Sequence, residues 1–448
     1  VKIAQIAAGA AGMYCGSCLH DNTLAAAMIK KGHDVALIPT YTPIRTDEDD
    51  VSIDRVFYGA VNVYLEQKSA LFRHTPWLVD RLLNRRGVLD WASGRSATVE
   101  ASHLGDLTLS VLEGEHGKQA KELERLVAWL RDELHPEIVI LPNSMFLGAA
   151  ARIRRELEVP VLCAVQGEDL FLEQLVEPWH GRVAALMRKK AGDVDGFLSM
   201  SGYYADYMAG VLRIDRSRFH VVPLGLKLDG HGDCAGPGEG DPFVIGYLAR
   251  LCPEKGLHLL VESFRQLAER VGRERVLLRI AGYRGERDRE YVEGICEQIH
   301  LWGLDDRVEM VGEVDRAQKI EFLSGLHVLS VPTVYREPKG LFVLEALANG
   351  VPVVLPRHGA FPEMIDATGG GVLFEPGSTD ELAACLQALM DDPARRASLA
   401  QAGKSAVHER HSDGRMAEQT LELLAGFVTG RAGQVAPERE QSPVRRSG

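Results

Sequence analysis

Short apolar runs alternate with longer stretches in which apolar residues return every three or four positions. These are the signatures of buried strands and amphipathic helices. Runs at Ile3–Ala8 and Val35–Pro39 flank a helical pattern through Leu24, Met28 and Ile29 that stops at Gly32. The order strand, turn, helix, strand is that of a crossover joining two parallel strands. Further strands are predicted at Glu137–Leu141, Val159–Val165, Gly196–Met200 and Phe219–Val222, with helices such as Gln119–Leu134 and Trp179–Lys190 between them. Residues 1–230 thus predict one doubly wound, Rossmann-like α/β domain.

The stretch Asp229–Pro242 is crowded with Gly, Pro and Asp, so 231–241 reads as a linker. The alternation restarts after it, with strands predicted at Phe243–Ala249, Val276–Ala281, Val308–Val311, Val328–Val331, Val351–Leu355 and Gly371–Phe374. A second α/β domain is therefore expected over 242–410. A last helix over 411–428 is expected to pack back toward the N-terminal domain, and the polar stretch 429–448 to be disordered. Two such units create a cleft, and open α/β sheets bind ligands at the carboxyl ends of their strands. The segment 42–115 is longer than a crossover needs and reads as an insertion. Within it, Trp77, Leu82 and Trp91 lie among Arg73, Arg81, Arg85 and Arg86. That mixture fits either a surface gripping an acceptor or an anionic membrane, or a helical hairpin packed on its own domain.

Composition narrows the partners. The 448 residues carry 51 Lys+Arg against 63 Asp+Glu, a net charge of −12. Nucleic acid is therefore not expected as a partner, because phosphate backbones call for clustered positive charge. No apolar run approaches the roughly 20 residues of a membrane span, and the start VKIAQIAAGA lacks signal-peptide features, so a cytoplasmic location is expected, with peripheral membrane contact left open. The seven cysteines are scattered. The Cys15/Cys18 pair has no second pair to complete a metal site, and structural thiols are expected.

Candidate chemistry concentrates in two segments. EPKGLFVLEALANG places Glu337 and Glu345 on either side of Gly340. If Gly340 and Leu341 open a helix, their N–H groups favour a phosphate, and Glu345 can accept hydrogen bonds from vicinal hydroxyls. In LARLCPEKG, Arg250 and Lys255 follow a strand end, where two cations suit a diphosphate. A diphosphate clamp beside a hydroxyl acceptor is what a nucleotide diphosphate requires.

On these motifs the chain resembles the retaining glycosyltransferases of family 4, which have the two-domain GT-B fold. The likeness extends over nearly the whole length. Glu337 and Glu345 match that family's pair of glutamates at the donor site. Ala249-Arg250-Leu251 and Lys255-Gly256 are similar to its Gly-Arg-Leu and Lys-Gly, with Ala in place of the first Gly. The resemblance implies that Arg250 and Lys255 hold the donor pyrophosphate and that Gly12 or Gly16 stands where the family has a Gly-Gly loop. It also implies a front-face displacement with no enzyme nucleophile and no required metal or other cofactor. The implied co-substrate is a nucleotide-diphosphate sugar based on UDP, GDP or ADP, with a glycan, lipid or small-molecule hydroxyl as acceptor. Where the family often has a His near the reacting sugar, this chain has Gln166, which can donate a hydrogen bond but cannot titrate. Gln166, Asp169 and Glu337 are the catalytic candidates, with Glu168 and Asp169 weighed between orienting the acceptor and capping the next helix. Two alternatives stay open: a sugar-nucleotide epimerase or phosphorylase on the same fold, and a binding protein without turnover.

Overall fold

The computed structural model describes residues 1–9, 16–59, 63, 101–233, 237, 238 and 242–432. The positions of Gly12 and Cys15, the basic and aromatic stretch 72–91 and the segment 433–448 lie outside them.

The N-terminal sheet has six parallel strands: β1 (Lys2–Ala7), β2 (Asp34–Pro39), β3 (Ile138–Leu141), β4 (Val161–Val165), β5 (Gly196–Ser199) and β6 (Phe219–Val221). They run in the spatial order β2-β1-β3-β4-β5-β6. The C-terminal sheet consists of β7 (Phe243–Leu248), β8 (Val276–Ala281), β9 (Val308–Gly312), β10 (Val328–Leu329), β11 (Val353–Pro356) and β12 (Gly371–Phe374). Their order is β12-β11-β10-β7-β8-β9. Helices cover both faces of each sheet, so the central strands are apolar on both sides. That is why they appear in the sequence as continuous runs and not as alternating patterns.

Each sheet reverses its winding once, between β1 and β3 and between β7 and β10. Loops leaving the two strands at such a point diverge to opposite faces and open a crevice at their carboxyl ends. The chain leaving β7 carries Arg250, and the chain leaving β10 carries Tyr335, Glu337 and Gly340.

The helix Asp413–Ala432 crosses back from the C-terminal domain. Buried Met416, Ala417 and Leu424 pack with Leu24, Ala27 and Met28 of the helix Gly16–Lys30 and with Ile3 and Ile140 of the N-terminal sheet. The helix runs past the boundary expected at residue 428. Phe427 and Val428 pack against the same apolar cluster, and the Thr429 hydroxyl folds back onto the Ala425 carbonyl at 2.8 Å, so the last turn continues through 429–432. No helix among the described residues is long and apolar enough to cross a membrane.

The two domains touch along the cleft. Ser201 Oγ donates to the Pro338 carbonyl at 2.9 Å, and Glu363 accepts the N–H groups of Gly202 and Tyr203 at 3.0 and 2.9 Å. Through these bonds a carboxylate of one domain caps a helix of the other, the helix Gly202–Leu212.

Candidate active site

The C-terminal wall is built from the loops leaving β7 and β10. Gly256 has φ 71°, and a Cβ there would lie 1.8 Å from the Pro332 carbonyl oxygen. Only glycine allows the two loops to come this close. Their closeness brings Lys255 Nζ to 2.5 Å from Glu337 Oε2 and 2.9 Å from the Tyr335 hydroxyl, which itself donates to Oε2 at 2.6 Å. The N–H of Gly340 reaches Oε1 at 3.3 Å. Burial pushes the Glu337 carboxyl up, but the Lys255 charge and these donors outweigh it and hold the group below the usual carboxylate range. Glu337, 4% exposed, is therefore an ionised buried carboxylate that aligns Lys255 and the Gly340 turn.

Gly340 caps the helix Leu341–Ala348, whose first turn carries no acidic residue. Its own N–H is directed to Glu337, whereas those of Leu341 and Phe342, at the helix start, have no intrahelical acceptor. Arg250 stands at the end of β7. Its Nε donates to Cys252 Sγ at 3.3 Å, and it forms no ion pair among the described residues. Arg250, Lys255 and a helix start thus lie in or at the end of the two loops that leave β7 and β10 at the switch point, a set of groups that suits a diphosphate.

Glu345 lies one turn into the same helix and is 6% exposed. Its Oε1 is 2.6 Å from Lys319 Nζ, and the same ammonium is 2.6 Å from Asp47 Oδ2 of the N-terminal domain. Only part of the carboxylate thus remains for vicinal hydroxyls.

The N-terminal wall comes from the ends of β1, β3 and β4 and the start of the helix Gly16–Lys30. Gly16 is exposed, and a Cβ there would meet nothing within 4 Å, so internal packing does not require glycine at that position. Ser17 Oγ accepts a hydrogen bond from Lys339 Nζ, a further crossing between the domains. Gln166 Nε2 donates to Asp21 Oδ1 at 3.0 Å and to the Pro142 carbonyl at 3.1 Å. An amide has two N–H donors, and both are engaged. The expectation that Gln166 acts as a free hydrogen-bond donor therefore needs correcting: its buried Oε1, an acceptor, is the side-chain atom without a partner among the described residues.

Glu168 and Asp169 differ in their surroundings. Glu168 accepts from the N–H and hydroxyl of Ser144, at 3.0 and 2.6 Å, and from the Gln166 N–H at 2.7 Å, so its oxygens brace the loop. Asp169 opens the short helix Asp169–Glu173, with the Tyr204 hydroxyl 2.9 Å from its Oδ1. Burial raises its pKa to about 6, with Tyr204 opposing the rise and Glu168 adding to it. Burial above all, then the Glu337 charge and hydrogen bond, raise the pKa of Tyr335 on the opposite wall, and the Asp169 charge adds to that rise. Gly167, two residues before Asp169, lies against Pro338, where an added Cβ would be 2.9 Å from Cγ, so this loop abuts the Glu337 loop.

The sequence reading did not single out Asp21, Tyr204, Tyr335, Lys339, Lys319 or Asp47. For Lys319 a signal was available: Ile320 and Leu323 line the buried side of the helix Arg316–Ser324, and a lysine within that pattern calls for a counter-charge. The other positions show their role only through contacts made by the fold.

Among the described residues, no three His, Cys, Asp or Glu side chains cluster to hold a metal ion.

Comparison with known proteins gives a consistent family. The model described as "Glycosyl transferase 4-like domain" matches residues 22–225, and "Glycosyl transferases group 1" matches 236–406. The chain is 27% identical over 274 residues to the MMP alpha-(1->4)-mannosyltransferase of Mycolicibacterium hassiacum, covering 60% of this chain and 62% of that one. It is 29% identical over 192 residues to the D-inositol 3-phosphate glycosyltransferase of Kribbella flavida, covering 42% and 44%. The matches thus span roughly half the length of these curated relatives. Among solved structures, Anabaena HepE in complex with UDP superposes with a TM-score of 0.65 at 17% identity, over 95% of this chain and all of that one. The sucrose-phosphate synthase of Thermosynechococcus elongatus gives 0.69 at 18% identity, over 96% and 99%. At these identities the superpositions show a shared two-domain GT-B fold.

Proposed function

Because the chain belongs to the group 1 glycosyl transferases, with a 4-like domain on its N-terminal side, we propose that it moves a hexose from a nucleotide-diphosphate sugar to a hydroxyl acceptor with retention at the anomeric carbon. The observation that carries this reading is the opposition of two walls. We read Arg250, Lys255 and the helix start at Leu341, all in or at the end of the loops leaving β7 and β10, as a cradle on one domain, and the loop that leads to Asp169 abuts that wall at Pro338 from the other.

The cradle fits the leaving diphosphate. As the bond from the anomeric carbon to the phosphate oxygen breaks, negative charge grows on that oxygen, where preoriented cations and N–H dipoles stabilise it most. The acceptor oxygen then bonds to the same face of the anomeric carbon, and its proton passes to the departing phosphate oxygen. No enzyme nucleophile is needed. Glu337 keeps Lys255 in place, and Asp169, ionised above about pH 6, accepts a hydrogen bond that orients the acceptor hydroxyl. HepE holds UDP, and the named relatives transfer mannose or act on inositol phosphate. These support a nucleotide-sugar donor and leave UDP, GDP and ADP as the bases to compare.

The test uses UDP-glucose, GDP-mannose and ADP-glucose with and without a panel of glycan, lipid and small-alcohol acceptors. One donor is expected to release its nucleoside diphosphate only when an acceptor is present. Its α-linked sugar should remain α-linked in the product by NMR, at a rate unchanged by EDTA. Conversion of the donor alone to an epimer, or a β-linked product, contradicts the reading.

A further inference from the structure

A second buried charge cluster, separate from the Lys255–Glu337 pair, joins the two domains. Lys319 Nζ is 2.6 Å from Glu345 Oε1 and 2.6 Å from Asp47 Oδ2. The three side chains are only 11%, 8% and 9% exposed. Charges taken this far out of water require good partners, and removing one leaves the others uncompensated. Burial disfavours the charge on Lys319, yet the two carboxylates hold its pKa above the usual lysine value.

The geometry divides the carboxylate of Glu345. Lys319 takes Oε1, while Oε2 accepts no hydrogen bond among the described residues. Glu345 and Lys319 line a small, roughly water-sized concavity together with Thr23 and Glu48 of the N-terminal domain and Arg316 and Leu341 of the C-terminal domain. Asp47 is presented by an anchored turn: Thr23 Oγ1 donates to Glu48 Oε2 at 2.9 Å, and the Glu48 N–H donates to Thr46 Oγ1 at 3.1 Å. The neighbouring interdomain pair Arg45–Glu313, at 2.6 Å, is 41% and 38% exposed and contributes little. The hold of this turn on the C-terminal domain thus rests mainly on Asp47.

We propose that Lys319 is a positioning residue of the donor site. By holding Oε1 it directs Oε2 of Glu345 toward the donor's ribose hydroxyls, and Asp47, sharing the ammonium, links that alignment to the apposition of the two domains. This rests on reading the cleft as a nucleotide-sugar site. It explains why a carboxylate that serves as a hydroxyl acceptor is already paired: a fixed, ionised oxygen is a better acceptor than a mobile one.

The test titrates UDP, GDP and ADP, their 2′,3′-dideoxy analogues and inorganic pyrophosphate into the wild type and the Lys319→Gln, Lys319→Arg and Asp47→Asn variants. The wild type is expected to prefer its ribonucleotide over the dideoxy analogue by roughly tenfold or more, the worth of hydrogen bonds to a charged acceptor. In Lys319→Gln that preference falls to within about twofold while pyrophosphate binds as before, and Lys319→Arg restores most of the preference. A general loss of structure would weaken both ligands alike. Asp47→Asn, a loop substitution read independently of the lysine variants, is expected to give a larger radius of gyration than the wild type at saturating diphosphate. An unchanged ribose preference in Lys319→Gln overturns the positioning role, as does a wild type that binds the dideoxy analogue equally well. An unchanged radius in Asp47→Asn overturns the link to domain apposition. A wild type that binds none of the three diphosphates would instead overturn the reading of the cleft.

Discussion

Asp169 is where function and stability oppose each other in one residue. Its pKa is raised by burial to about 6, above the 3.8 of a free aspartate. The folded state therefore binds this proton more tightly than the unfolded chain. The sign follows: the group costs nothing below about pH 4, and its penalty grows as pH rises toward 6 and is complete above it. Asp169→Asn keeps an oxygen for the Tyr204 hydroxyl and removes the charge. It is expected to raise the melting temperature at pH 8, equivalent to roughly 1–3 kcal/mol, to leave it nearly unchanged at pH 4, and to slow transfer. Melting curves at the two pH values check the first part and initial rates the second. Gln166 shows what a single position in a sequence conceals. Its chemistry depends on Asp21, 145 residues away, which takes one of its two donors. Gln166 stands out by its place at the end of β4, but which of its atoms is left over is decided by the fold.

At the scale of elements the sequence was most legible, for a physical reason. Each of the twelve strands lies within a residue or two of a predicted one, most legibly the central strands, which are covered on both faces and so do not alternate, whereas the edge strand β9 exposes Glu309 and Met310. Lys255, Glu337 and Gly340 were also accessible to sequence reading, since each lies a few residues beyond a strand end and the switch point brings those ends together. The Asp47–Lys319 pair was not, because 272 residues separate its members: the apolar pattern around Lys319 calls for a counter-charge without saying which one. The helix Leu341–Ala348 shows how a turn sets a site. Gly340 has φ 71°, and an added Cβ would lie 2.9 Å from Met364 Sδ and 3.2 Å from the Phe361 ring. Gly340→Ala is thus strained both by its backbone conformation and by its neighbours, and the helix start it caps must shift. The expected cost is about 1–3 kcal/mol in urea unfolding, with donor affinity lowered by roughly tenfold.

At the scale of the whole molecule, two α/β domains each supply residues of the candidate site, and the C-terminal helix ties them by burying Met416, Ala417 and Leu424 against the N-terminal domain. Contact across the cleft brings the loop that leads to Asp169 against Pro338 and Asp47 onto Lys319. With a net charge of −12, Arg250 and Lys255 are local cations in an acidic chain, which under the proposed function favours an anionic leaving group at that position. Arg250 gives the cleanest probe of this arrangement. It forms no ion pair among the described residues, although its charge favours the ionised forms of Glu254 and of buried Asp288, so its truncation breaks no salt bridge and is expected to raise those two carboxyls. The most direct measurement is a calorimetric titration of UDP, GDP and ADP into the wild type and Arg250→Ala. One diphosphate should bind the wild type clearly more tightly than the other two and lose roughly tenfold or more in the variant. Absence of binding by all three, or equal affinity in the wild type and Arg250→Ala, would contradict a nucleotide-diphosphate donor held in this cradle.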